Sequence, residues 1–261
     1  MTTRYRKIVA LGSSYAAGPG IEPVVNRAAM RSGNNYAHLV ATRAGAELVD
    51  LTVSGATTAT ILSDRQRVGR TVFEPQVCGV PADTDLVTIT AAGNDLGYLG
   101  AAIGLGIYFT VDRLTRGTLH RLKAPPRPRA TADQSRLATD GLRRIVEEVR
   151  RRGPQARIVL VDYLPMVAEA TTPRLDVPFD AETIDALITI HSRLNEAFAA
   201  AASATGGDLI PASELGRGHE LGTREPWIQP LYFSRRLPAS FHPNAAGMAA
   251  IGEAIIERLG T

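Results

Sequence analysis

The chain has 261 residues, of which 44% are hydrophobic and 21% are charged, and its formal net charge is +3. This composition is typical of a globular protein, and the length is sufficient for one large domain with a substantial core. The small net charge and the absence of a basic run interleaved with aromatic residues argue against a nucleic-acid partner, and the single cysteine, Cys78, excludes an intramolecular disulfide.

The first residues indicate where the protein is expected to function. Residues 1–7 are polar and basic, and the apolar run that follows, 8–11, is too short for the core of a signal peptide. No segment has the roughly 18 uncharged apolar residues that a membrane span requires. The sequence therefore predicts a cytoplasmic protein with no stable membrane span, while leaving secretion open.

Short apolar runs rich in β-branched residues alternate with longer helical patterns along the chain. This alternation predicts right-handed βαβ crossovers and a parallel sheet of about five strands, covered by helices on both faces in an α/β/α arrangement. The predicted strands are 7–11, 47–52, 85–90, 157–162 and 208–211, and the predicted helices are 35–43, 133–152, 181–202 and a last helix after Pro243.

Residues 96–132 interrupt this alternation within a single predicted domain, 1–261. Residues 96–111 are apolar, glycine-rich and uncharged, whereas 113–129 are basic and end in a proline-rich run. The segment is too long for an ordinary connection. It is predicted to be either a lid or wall beside a substrate pocket, or an extra helix packed on the domain and followed by a solvated basic loop. The two interpretations are compatible.

Polar or glycine-rich clusters lie where predicted strands end, at the edge of a parallel sheet where sites usually form. Acyl transfer needs a nucleophile, a base and donors for the developing oxyanion. A serine, a histidine, glycine backbone N–H groups and an asparagine amide can supply them. The clusters occupy 12–18, 54–57, 93–95 and, after a long final loop, 242–244.

These four clusters resemble, in order and over nearly the whole chain, the sequence blocks of the SGNH hydrolases, also called GDSL esterases and lipases. The family block Gly-Asp-Ser-x-x-x-Gly corresponds to Gly12-Ser13-Ser14 and the residues up to Gly18, and this spacing selects Ser14 over Ser13 as nucleophile. The resemblance implies a flavodoxin-like three-layer fold and a carboxylic ester hydrolase.

The resemblance also implies roles for the other clusters. His242 corresponds to the catalytic base, and the backbone N–H groups of Ser14 and Gly55, with the side-chain amide of Asn94, correspond to the oxyanion hole. Asp95 is expected to hold its loop through local hydrogen bonds. The remaining histidines have no paired spacing, so no metal is predicted, and no other cofactor is implied.

Two positions depart from the family pattern. Ser13 stands where the family has an aspartate, which removes a loop-holding carboxylate but leaves the nucleophile. Ala239 stands three residues before His242, where the family has the acid of the catalytic triad. Loss of a comparable orienting group costs roughly 10⁴ in rate in a serine protease.

Three interpretations of the missing acid remain open. A backbone carbonyl, with that of Ala239 as the candidate, could accept the Nδ1 proton of His242 and leave a Ser–His dyad. A distant carboxylate could substitute, or the chain could be a weak or inactive relative. The candidate carboxylates are Asp208, Glu214, Glu220 and Glu225.

The predicted function is hydrolysis of a small or lipid-like carboxylic ester through an acyl-enzyme on Ser14. Acyl transfer to a sugar or alcohol with the same residues is one alternative, and a non-catalytic binding relative is another. Trp227 and Tyr232 precede His242 and are expected either to line an acyl pocket or to belong to the core. The sequence does not predict the acyl chain length, the alcohol or the oligomeric state.

Overall fold

All five predicted strands are present in one sheet of the computed structural model, which describes residues 5–260. Residues 1–4, part of the localisation argument, lie outside the described residues. The predicted strand boundaries agree with the observed ones to within two residues. The strands are β1 (Lys7–Gly12), β2 (Val24–Asn26), β3 (Arg31–Ser32), β4 (Glu47–Asp50), β5 (Gln66–Val68), β6 (Thr71–Phe73), β7 (Leu86–Thr90), β8 (Arg157–Val161) and β9 (Asp208–Ile210).

The main sheet is parallel and has the strand order β4-β1-β7-β8-β9. The chain passes from β1 to β4 on one side and then returns to β7 on the other side of β1. The strand order therefore reverses between β1 and β7, and sheets of this kind usually bind ligands beyond the carboxyl ends of the strands at such a point. The pairs β2–β3 and β5–β6 form two small antiparallel hairpins outside the main sheet.

Helices cover the sheet on both sides, which confirms the predicted α/β/α architecture. One set packs α3 and α7 against α6, and the other packs α2 against α9. The four predicted helices are present, each preceded by a side chain that accepts a backbone N–H of its first turn. The helices are α1 (Ser14–Ala17), α2 (Tyr36–Ala44), α3 (Thr58–Leu62), α4 (Tyr98–Leu114), α5 (Thr118–Leu122), α6 (Ala132–Arg152), α7 (Ala181–Thr205), α8 (Ala212–Leu215) and α9 (Ala245–Leu259).

The segment 96–132 contains α4 and α5. The buried side of α4 packs against α7, and Gly106 brings the helix close to the ring of Phe241, since a Cβ there would lie 3.0 Å from that ring. Within residues 5–260, no helix is long and apolar enough to cross a membrane.

Candidate active site

The predicted nucleophile, Ser14, is the first residue of the short helix α1, directly beyond the end of β1. It is buried, with 6% of its surface exposed. The first N–H groups of a helix have no acceptor within the helix. The backbone N–H of Ser14 is therefore not used by α1 itself.

Gly12 allows the backbones of β1 and β7 to approach closely beneath this serine. Its φ is +148°, and a Cβ at this position would lie 2.3 Å from the carbonyl oxygen of Thr90. The Ser13 N–H donates to the same Thr90 oxygen at 2.9 Å. Only glycine fits here, so the motif's first residue is set by strand packing as well as by chemistry.

Ser13, which stands in place of the family's aspartate, belongs to a buried hydroxyl network centred on Tyr163. The Tyr163 hydroxyl lies 3.1 Å from Ser13 Oγ and accepts the N–H of Gly93 at 3.2 Å. Its ring stacks on that of Tyr15 with 4.4 Å between centroids. Burial raises the pKa of Tyr163 to about 12, so it remains a neutral hydroxyl that joins the first and third clusters.

The third cluster is also bonded to the second. The Asn94 amide donates to the Ala56 carbonyl at 2.8 Å. Asp95 accepts the Thr58 N–H at 3.1 Å and the Thr58 hydroxyl at 2.6 Å. The expectation of local bonds for Asp95 is therefore wrong, because its partner is at the start of α3. An amide carries two N–H donors, so Asn94 keeps one for a ligand.

Gly55, the predicted second oxyanion donor, lies in the loop after β4 and directly precedes Ala56, the residue that Asn94 binds. It is exposed in a left-handed conformation with φ of +82°. Val53, two residues earlier, donates its N–H to the Gly12 carbonyl at 3.1 Å. The second and third predicted clusters are thus linked directly, through Asn94 and Ala56, and Val53 connects the residues just before the second cluster to the first.

The ring of the predicted base, His242, is oriented by a backbone carbonyl of its own loop. Its Nδ1 lies 2.9 Å from the Ser240 carbonyl oxygen, so Nδ1 carries the proton and Nε2 is left as the acceptor. Nε2 is buried and has no hydrogen-bond partner among residues 5–260. Burial lowers the pKa of His242 to about 4, although the Ser240 and Ala239 carbonyls oppose the shift.

The orienting carbonyl is one residue away from the predicted one. The Ala239 carbonyl accepts the backbone N–H of His242 at 3.3 Å, whereas that of Ser240 faces the ring. The turn that produces this arrangement places Phe241 at a φ of +61°, a conformation that the sequence gives no sign of.

The distant carboxylates do not occupy Nδ1, because the Ser240 carbonyl already does. Asp208 is the first residue of the edge strand β9, at the end of that strand away from the carboxyl-end loops, and it pairs with Arg157 at 2.7 Å. Glu220 accepts the Gly218 N–H at 3.0 Å. Of the three interpretations of the missing acid, the geometry at Nδ1 favours a backbone carbonyl.

The fourth cluster adjoins the first. The Tyr15 hydroxyl donates to the Phe241 carbonyl at 3.0 Å, and the Tyr15 ring lies 5.7 Å from that of His242 between centroids. The Gln229 amide donates to the carbonyls of Pro19 at 2.9 Å and Pro243 at 3.0 Å. Neighbours in sequence of Ser14 and of His242 are therefore in direct contact.

Sequence reasoning missed Tyr15, Tyr163 and Gln229, which join the loops. Trp227 and Tyr232 were expected either at the pocket or in the core. Trp227 stacks on His219 with 3.8 Å between ring centroids, and Tyr232 packs beneath the guanidinium of Arg236. Both side chains are half-buried.

Comparison with known proteins identifies the class to which this fold and site belong. The GDSL-like lipase/acylhydrolase family matches residues 10–250, and the chain belongs to that family. It is a carboxylic ester hydrolase, as the sequence predicted.

Three of the similar proteins come from Streptomyces. The protein named Lipase 2 of Streptomyces coelicolor is 34% identical over 267 residues, which cover 97% of this chain and 85% of the relative. The crystal structure of phospholipase A1 from Streptomyces albidoflavus has a TM-score of 0.74 at 19% identity, and that of an extracellular lipase from Streptomyces rimosus has 0.72 at 21%. Each of these two crystal structures is matched over 98% of this chain and 100% of the other chain, and each shows the same fold.

Proposed function

We propose that the chain hydrolyses carboxylic esters through an acyl-enzyme on Ser14, with His242 as a base held by a backbone carbonyl. The observation that carries the proposal is the state of the His242 ring. Its Nδ1 is fixed on the Ser240 carbonyl, and its Nε2 is buried, unprotonated and without a hydrogen-bond partner in the part of the chain that the structure describes. The loop that carries it is bonded to Tyr15, the residue after Ser14.

The first half-reaction forms the acyl-enzyme. Ser14 Oγ attacks the acyl carbon while its proton passes to His242 Nε2, and the carbonyl oxygen becomes an oxyanion. The backbone N–H groups of Ser14 and Gly55 and the free N–H of the Asn94 amide donate to that oxygen. The ester C–O bond then breaks, and the leaving alkoxide takes the proton from Nε2.

The second half-reaction releases the acid. Water gives its proton to His242 Nε2 as its oxygen attacks the acyl carbon, and the bond to Ser14 Oγ then breaks as Oγ recovers the proton. A carbonyl dipole stabilises the transient imidazolium less than a carboxylate would. The proposed dyad is therefore active but slower than a site with an acid.

The substrate class that fits best is an ester with an aliphatic acyl chain. Support comes from the names of relatives, Lipase 2 and phospholipase A1, and from the apolar composition of residues 96–111.

The nucleophile is tested by replacing each serine of the motif separately. With p-nitrophenyl acetate as substrate, we expect Ser14→Ala to lower kcat at least about 10³-fold, because the acyl-enzyme has no other oxygen to form on. The matched control, Ser13→Ala, removes only a hydrogen bond to Tyr163 and should retain kcat within about tenfold. Full activity in Ser14→Ala, or loss only in Ser13→Ala, would refute the assignment.

A further inference from the structure

Positive charge is concentrated in one segment of the chain. Residues 96–129 contain six basic side chains and a single acidic one, Asp112, for a net charge of +5. Since the whole chain has a net charge of +3, everything outside this segment is net −2. A molecule with almost no overall charge therefore has a strongly basic region in one place.

The region contains helix α4, which has apolar side chains on its solvent-exposed surface as well as on its buried side. Ile103, Ile107, Val111 and Leu114 follow one another at spacings of four, four and three, and so share one face of α4. The first two are half-buried, whereas Val111 is 38% exposed and Leu114 is 79% exposed. The apolar face thus runs from the protein surface out into solvent.

A second short helix returns alongside the first. The Tyr108 hydroxyl donates to the Lys123 carbonyl at 2.6 Å, and the Asp112 carboxylate accepts the His120 N–H at 2.7 Å. We call residues 98–123 the α4–α5 hairpin. Near its second end, Leu122 is 81% exposed.

An open apolar groove of about 400 Å³ lies along the hairpin. Gly100 and Gly104 line it, and a Cβ at either position would have no atom within 4 Å. Leu105, Tyr108, Leu119 and Lys123 also line it. The groove offers apolar surface beside a cation.

The cations of the hairpin are unpaired. Arg116, Arg121 and Lys123 are exposed, and none has an ion pair within the part of the chain that the structure describes. Arg127, farther along, is by contrast paired with Asp180 and Glu182. The charge of the hairpin is therefore available to an external anion.

We propose that the α4–α5 hairpin is the surface by which this protein docks on an anionic lipid bilayer. Exposed leucines enter the boundary between headgroups and acyl chains, and the surrounding arginines and lysine contact anionic headgroups. The proposal concerns binding and goes beyond the hydrolysis proposed above, so either can fail without the other.

Charge decides between a bilayer and a second copy of the chain. In a two-fold dimer the same patch faces itself, which would oppose two sets of unpaired cations. An anionic bilayer neutralises them, and each Lys or Arg near such a surface contributes roughly 1 kcal/mol, which corresponds to about fivefold in affinity.

The test is co-sedimentation of the full chain with vesicles of phosphatidylglycerol and phosphatidylcholine in equal parts, or of phosphatidylcholine alone. We expect binding to the anionic vesicles that weakens as salt is added, and at least about tenfold weaker binding to phosphatidylcholine. The variants Leu114→Gln/Leu122→Gln and Arg116→Gln/Arg121→Gln should each lose about tenfold or more. Their hydrolysis of water-soluble p-nitrophenyl acetate should be unchanged, which shows that they fold.

Matched controls carry the same changes elsewhere. Leu137 and Leu175 are 68% and 85% exposed, and Arg70 and Arg150 are exposed, all outside the hairpin. Leu137→Gln/Leu175→Gln and Arg70→Gln/Arg150→Gln should bind vesicles as the parent does. Equal losses in controls and hairpin variants, or no vesicle binding by the parent, would overturn the proposal. So would a concentration-dependent dimer abolished by Leu114→Gln/Leu122→Gln without vesicle binding, which would assign the face to self-association.

Discussion

A backbone carbonyl and a carboxylate can hold a histidine ring in the same orientation but stabilise its charge to different extents. In this protein the Ser240 carbonyl fixes the tautomer of His242, while burial holds the pKa of the ring at about 4. The imidazole is therefore neutral and able to accept a proton at any pH well above 4. What the site lacks is a negative charge to stabilise the imidazolium.

Restoring the family's acid tests this difference. We expect Ala239→Asp to raise the pKa of His242 by at least about one unit and kcat at pH 8 by about tenfold, because a carboxylate stabilises the imidazolium. The acid limb of the rate profile should move to higher pH, since protonated His242 is inactive.

The control for this change is Ala239→Asn, which has nearly the same size without the charge. It should leave the acid limb where it is in the parent. A pH profile of kcat/KM for the three proteins measures both effects. Equal shifts in the two variants, or no shift in either, would contradict the electrostatic role given to this position.

At this scale side-chain positions are easier to predict from the sequence than backbone conformation. The family resemblance predicts Ser14 from its spacing to Gly12 and Gly18 and His242 from its place before Pro243, which is local information, and their catalytic roles stay predictions. The carbonyl that faces Nδ1 depends on a turn through Phe241 at positive φ, so the choice of Ala239 over Ser240 could not be made from residue types.

The ends of the strands bring the site together at the scale of secondary-structure elements. β1 and β7 are neighbours in the sheet, although 73 residues lie between the end of β1 at Gly12 and the start of β7 at Leu86. Ser14 and Asn94 lie just beyond the carboxyl ends of these two strands. The alternating pattern predicts these strands because each is a short, mostly apolar run bounded by turn residues. It did not predict Tyr163, which follows β8 and links Ser13 to Gly93.

Close packing at the end of β7 leads to a second prediction. A Cβ on Gly93 would lie 2.6 Å from the Tyr163 hydroxyl oxygen, so Gly93→Ala must displace the ring. We expect a loss of about 1 to 3 kcal/mol in the free energy of unfolding, together with reduced kcat, because the hydroxyl network supports the nucleophile loop.

Gly207→Ala is the comparison for this change. Gly207 directly precedes the edge strand β9, and the nearest atom to a Cβ there would be 3.5 Å away. It should alter stability by less than about 0.5 kcal/mol and leave kcat unchanged. Urea unfolding and steady-state kinetics measure the two effects. A Gly93→Ala protein as stable and as active as the Gly207→Ala protein would show that Tyr163 does not support the site.

For the molecule as a whole, buried ionisable groups make stability depend on pH. Burial raises the pKa of Asp162 to about 6, although Ser213 donates to both of its oxygens at 2.7 Å. The unfolded chain loses this proton near the ordinary pKa of about 4, so the folded state becomes less stable as the pH rises between about 4 and 6. Above that range the cost of the buried charge is fully present.

Removing that charge should therefore stabilise the protein at neutral pH. We expect Asp162→Asn to raise the free energy of unfolding by about 2 kcal/mol at pH 7.5 and to leave it nearly unchanged at pH 4. The exposed Asp185→Asn in α7 should have no effect at either pH. Urea titrations at the two pH values decide, and a gain of equal size at both would exclude ionisation as its cause.

The architecture was predictable at this scale because strand–helix alternation permits few topologies. The conformations of the loops between elements are harder to predict from the sequence. The segment 96–132 was recognised as unusual, yet its return as the α4–α5 hairpin depends on contacts such as that of Tyr108 with Lys123, which no periodicity indicates.

The central claim is that Ser14 is the nucleophile and that a neutral, carbonyl-oriented His242 activates it. The rate of labelling by a fluorophosphonate, followed by mass spectrometry of the intact protein and its peptides across pH 3 to 8, measures both parts at once. We predict one label, on Ser14, and a rate that rises with an apparent pKa near the His242 value of about 4. A label on another residue, no label on the folded protein, or a rate that rises with an ordinary histidine pKa of about 6.5 would contradict the account.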